Sequence, residues 1–196
     1  MTLGVLAMID ATVPTLVSRL WPRTVTNTVP RALILVLAGN ILLAASAHAK
    51  VPFYPVPMTM QTLVVLILGA AYGWKLGAAT VIAYLAEGIA GLPIFTGGMG
   101  PAYFMGPTGG YLVGFALAAT LAGWLAERGL IRRAPFALLG MLVADALILG
   151  LGLAWLSHLI GFDKALALGI VPFLPGEGLK IVLATALTLA TRPVSR

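Results

Sequence analysis

Apolar runs fill most of the chain from Pro30 to Thr191, and each is broken from the next by proline, glycine or a short polar stretch. Runs of this kind are the pattern of membrane-spanning helices, at about 20 residues per crossing. Helices are expected near Pro30 to His48, Thr59 to Gly73, Trp74 to Gly91, Gly109 to Arg128, Ala134 to Ile160 and Pro175 to Thr191. The second and third are short against a hydrocarbon layer of about 30 Å, so they call for protein neighbours. The fold class this predicts is all-α, an integral membrane bundle of six helices occupying residues 30–196. Residues 1–29 read as an N-terminal segment lying on the surface or forming an extra short span. With no basic stretch ahead of its apolar part, and with Asp10 and Pro14 within it, this segment is a poor cleaved signal peptide.

Composition sharpens the class. The chain is 60% hydrophobic and 9% charged, against averages of about half and a quarter in soluble domains. Its net charge of +6 does not form a basic stripe interleaved with aromatics, so nucleic acid is not an expected partner. The charge reads as topology instead. Arg19, Arg23, Arg31, Lys75, Arg128, Arg132, Arg133, Arg192 and Arg196 fall on the side of the termini, and only Lys50 and Lys164 fall opposite. The excess of basic residues places both termini in the cytoplasm. Cysteine is absent, which excludes thiol catalysis and thiolate metal sites. The chain also lacks a phosphate-binding Walker loop, a GxSxG elbow and an HExxH pair, so ATP hydrolysis, covalent catalysis, a metal and a cofactor are not expected within it.

Candidate chemistry gathers in a few places. FLPGEGLK, residues 173–180, opens the last helix, and Glu177 and Lys180 share one face at i, i+3. They are either a dipole-complementing acid with a snorkelling lysine or a paired, inward-facing donor and acceptor; the apolar run after Lys180 favours the second. Thr59 and Gln61 enter the second helix from the outer side, where a glutamine needs a neighbouring helix or a polar ligand. Tyr84 and Glu87 are i, i+3 neighbours, with Glu87 reaching water. Asp145 lies mid-span and calls for Asn40, a hydroxyl or a proton as partner. His48 and His158 lie near helix ends and suit carbonyl capping. The connection GLPIFTGGMGPAYFMGPT mixes Gly, Pro and aromatics, so it either folds over a site as a lid or packs on the headgroups.

The succession KVPFYPVPMTMQTL, YLAEGIAGLPIFTGGMG, GPTGGYLVGF and FLPGEGLK resembles, in order from about Leu33 to Ala190, the BioY family of biotin-specific substrate-binding (S) components of energy-coupling factor (ECF) transporters. The resemblance implies the S-component fold in the inner (plasma) membrane of a prokaryote, capture of biotin from outside, and docking on an ECF transmembrane coupling subunit driven by ATPases. It places the family's acid and lysine on Glu177 and Lys180, with Glu where Asp is commoner, and its glutamine on Gln61. Around them Thr59, Tyr84, Tyr111, Phe95 and Phe104 would form wall and lid, with Gly97 and Gly98 as the lid's turn. Gly39, Ala44, Ala45 and Ala49 would meet the coupling subunit, with Asn40 interrupting that face. Two alternatives stay open: an S-component for another vitamin, such as thiamin or riboflavin, and a membrane enzyme or assembly factor.

Overall fold

A computed structural model describes residues 15–21 and 28–191. A short helix α1 (Leu16–Leu20) precedes α2 (Thr28–His48), and a two-stranded antiparallel ribbon, β1 (Lys50–Val51) with β2 (Met58–Thr59), leads into α3 (Gln61–Tyr72) and α4 (Trp74–Ile89). A short α5 (Gly100–Phe104) lies within the next connection. The chain then runs through α6 (Gly109–Glu127), a 3-10 turn (Leu130–Arg132), α7 (Ala134–Ile160), α8 (Phe162–Gly169) and α9 (Leu174–Ala190). The longer helices fall close to the bounds the apolar pattern predicts. The ribbon, α5 and α8 are additions that the pattern does not announce, because each is too short for a helical period to register.

Among the described residues three helices are long and apolar enough to cross a membrane alone, α2, α6 and α7, and α8 with α9 form a further candidate bent by 55°. At 12 residues, α3 rises only about 18 Å, so it relies on its neighbours, as its length predicts. Val65 and Leu66 are fully buried, and α3 packs against α6, α4, α9 and α2.

Close approach is what the small residues provide. The inward face of α6 carries Gly109, Gly110, Gly114, Ala118, Ala119, Ala122, Gly123 and Ala126. A Cβ on Gly69 of α3 would stand 2.5 Å from the Ala119 carbonyl oxygen, and one on Gly114 would stand 2.7 Å from Ile148 Cα of α7. Both crossings therefore bring backbone against backbone, the packing that replaces hydrophobic drive inside a bilayer. Leu33, Ile34, Leu37 and Ile41 on α2, Leu139 and Leu142 on α7, and Leu179 and Val182 on α9 are left exposed as an apolar belt, which is the surface lipid requires.

Part of the N-terminal segment packs on this bundle. The Arg31 guanidinium donates to the Trp21 and Val17 carbonyls at 2.7 and 3.1 Å, and α1 lies against α3. The rest of that segment, residues 1–14 and 22–27, lies outside the described residues, as do Arg23, Arg192 and Arg196 of the charge asymmetry.

Candidate functional site

Helices α3, α6 and α9 all begin at one end of the bundle, beneath the ribbon and the α4–α6 connection. Their first turns carry Gln61, Tyr111 and Glu177. Between them lies a cleft with about 450 Å³ of empty space, open mouth included. Its polar end is Thr59, Gln61, Thr62 and Glu177; its walls include Leu112, Phe115, Leu149 and Phe173, with Tyr111; Tyr103 and Thr108 of the connection close the remaining side.

Glu177 and Lys180 are each 4% exposed, so the inward-facing reading holds and the snorkelling one does not. Lys180 Nζ donates to Glu177 Oε1 at 2.7 Å and to the Thr59 carbonyl. Thr62 Oγ1 donates to Glu177 Oε2 at 2.7 Å. A buried carboxylate with a cation on one oxygen and a hydroxyl on the other is paired and held in direction. Carboxylate oxygens have about four lone-pair positions between them, so Glu177 keeps acceptor capacity toward the cleft. Lys180 lies one turn deeper and does not line it.

Gln61 is also committed on both ends. Its Nε2 donates to the Tyr84 hydroxyl at 2.9 Å, and its Oε1 accepts from Thr59 Oγ1 at 3.2 Å. The Tyr84 hydroxyl in turn donates to the Ile94 carbonyl at 2.9 Å. Tyr84 is fully buried and stands behind Gln61 rather than in the cleft wall.

The connection folds inward. The Phe95 ring lies edge-on to Tyr84, centroids 5.5 Å apart, and stacks on Tyr103 at 5.1 Å. It rests on Gly88, where a Cβ would fall 2.1 Å from the ring. Gly98 likewise leaves room for the Tyr103 ring, 2.7 Å from the position its own Cβ would take. Gly97 and Gly98 thus cradle Tyr103 and do not line the cleft. Lys50 Nζ donates to the Thr96 carbonyl at 2.6 Å, tying the ribbon to this loop. Burial pushes the Tyr103 hydroxyl above its ordinary pKa, partly offset by hydrogen bonds with Thr108 and the Gly97 backbone. It stays a neutral donor and acceptor.

Several expectations are corrected. Phe104 does not line the cleft; Tyr103 does, because the turn of α5 aims that neighbour inward. Phe95 is buried under the loop, not in the wall. Glu87 does not merely reach water: Asn40 Nδ2 donates to its Oε1 at 2.7 Å. Asn40 is therefore turned inward and is not the partner of Asp145, which lies beside Glu177 instead. Gly39 faces α4, where a Cβ would meet the Thr80 methyl at 2.5 Å, so it is no part of an outward face. Ala45 and Ala49 are exposed, Ala44 partly so, and Asn40 does not interrupt them. Thr62, Thr108 and Phe173 escaped the sequence reading of the site.

The BioY family model matches residues 13–196. The chain is similar to the "Probable biotin transporter BioY" of Pyrococcus horikoshii, 38% identical over 77% of this chain and 88% of that one. It is similar also to the "Biotin transporter BioY2" of Lactococcus lactis subsp. cremoris, 33% identical over 84% of this chain and 91% of that one. Among solved structures it resembles the S-component for biotin from an ECF-type ABC transporter, with a TM-score of 0.76 and 26% identity, covering 86% of this chain and 94% of that one.

Proposed function

This chain belongs to the BioY family, and on that premise we propose that it is the membrane subunit that captures biotin for uptake, a transport protein and not an enzyme. The observation that carries the reading is Glu177, buried, paired with Lys180 and still facing a cleft walled by Tyr111, Phe115 and Phe173. Biotin offers a polar bicyclic head with two N–H donors and one carbonyl, an apolar sulfur ring and a carboxylate tail. Glu177 and the Gln61 end of the cleft accept and donate to the ureido head, and the aromatic walls cover the sulfur ring. Lys180 acts through Glu177, balancing its charge and aiming it, since its amine is already bound to Glu177 and to the Thr59 carbonyl. The α4–α6 connection closes over the ligand.

By the same reading the protein resides in the inner membrane of a prokaryote with both termini cytoplasmic, as its basic residues favour. It delivers biotin by working against an ECF coupling subunit and its ATPases. The outward stripe of α2 with Ala45 and Ala49 is the face offered to that partner. Titration of the purified chain in detergent with biotin, thiamin and riboflavin tests the assignment: saturable heat with biotin alone supports it, and binding of either other vitamin in its place refutes it.

A further inference from the structure

Asp145 of α7 is a second buried acid, 2% exposed, and the binding scheme leaves it unused. It lies one turn below Leu149, which lines the cleft. The groups acting on it are Glu177, within hydrogen-bonding reach, and Lys180. Its Oδ1 is buried without a hydrogen-bond partner among the described residues. Were all three side chains ionised, two negative charges would share one positive charge in a water-poor interior, an arrangement strongly disfavoured inside a membrane protein. Two carboxylates so close repel each other, whereas a carboxylic acid and a carboxylate form a strong hydrogen bond. An oxygen without a partner is also better tolerated on a neutral acid than on a carboxylate.

We propose that Asp145 is a positioning residue: as a neutral acid it donates its hydroxyl to the Glu177 carboxylate and keeps that carboxylate turned toward the cleft for the ureido N–H of biotin. The inference rests on the biotin reading of the cleft. Glu177 then has three fixed donors, the Lys180 amine, the Thr62 hydroxyl and the Asp145 hydroxyl, on three different helices or turns, and the ligand takes the acceptor position that remains. Glu177, Lys180 and the neutral Asp145 together carry no net charge.

The test uses the whole protein in detergent, with Asp145→Asn, which keeps a neutral donor, and Asp145→Leu, which keeps the volume and removes it. Asp145→Asn is expected to bind biotin within about threefold of wild type and Asp145→Leu at least about tenfold more weakly, the effect of losing a hydrogen bond to a charged group. Infrared absorption of the wild type is expected to show a protonated-carboxyl C=O band that shifts when biotin is added and is missing from Asp145→Asn. The proposal is overturned if that band is absent from wild type, if Asp145→Leu binds as wild type does, or if Asp145→Asn loses as much affinity as a folded Asp145→Leu. Should Asp145→Leu fail to fold, the infrared band and the Asp145→Asn affinity decide. A wild type that binds no biotin overturns the biotin reading itself, a result distinct from a wild type that binds with Asp145→Leu its equal.

Discussion

Thr62 on α3 and Glu177 on α9, 115 positions apart in the chain, are joined by a 2.7 Å hydrogen bond from hydroxyl to carboxylate. The bond fixes the second oxygen of an acid whose first oxygen is held by Lys180. Thr62→Val keeps the shape and deletes the donor. It should weaken biotin binding by about 1.5 kcal/mol, roughly tenfold, as read by titration calorimetry; an unchanged affinity would show that the direction of Glu177 does not matter to the ligand.

Lys180→Met should weaken biotin binding by at least about tenfold, or about 1.4 kcal/mol, and lower stability by about 3–5 kcal/mol, because Glu177 is left charged and buried without its cation. Adding Glu177→Gln should recover much of the stability and none of the affinity. Thermal unfolding in detergent beside biotin titration separates the two effects. Equal stability of the single and double variants would mean that the pair is not coupled.

Gly88 is the surface on which Phe95 rests. Gly88→Ala should push the ring, and with it Tyr103, away from the cleft, at an overpacking cost of about 1–3 kcal/mol. If the connection retains the ligand, release of radiolabelled biotin should quicken by about tenfold while entry changes little. An unaltered release rate would assign the connection a purely structural role.

The outward face of α2 can be probed separately from the cleft. Ala45 is exposed and distant in role from the cleft residues, so Ala45→Trp should leave biotin affinity unchanged and abolish uptake in cells that carry an energising module, where bulk blocks close helix approach. Uptake at the wild-type rate would place the partner elsewhere.

How far these features were readable beforehand differs by kind. Helix positions were legible because proline and glycine punctuate the apolar runs, and Glu177 with Lys180 was legible because i, i+3 spacing within one helix fixes a shared face. What the sequence hid was rotational phase. In α2 nearly every residue is apolar, so nothing in the pattern says that Gly39 and Asn40 turn inward with Leu43 and Ala47 while Ala45 turns outward. The same ambiguity exchanged Phe104 for Tyr103, since α5 spans only five residues. Thr62 was overlooked for another reason: a threonine in an apolar helix commonly bonds to its own backbone, as Thr80 and Thr185 do here, and only the fold reveals that its partner lies across the bundle.

The pairing of Glu177 with Lys180 also bears on which vitamins are turned away. A cationic guest would find the counter-ion already installed, so its charge would have to shed water and gain no unspent attraction in return. An uncharged urea needs only a lone pair held still. On the proposed reading, selectivity against cations is supplied by a lysine that never touches the cargo.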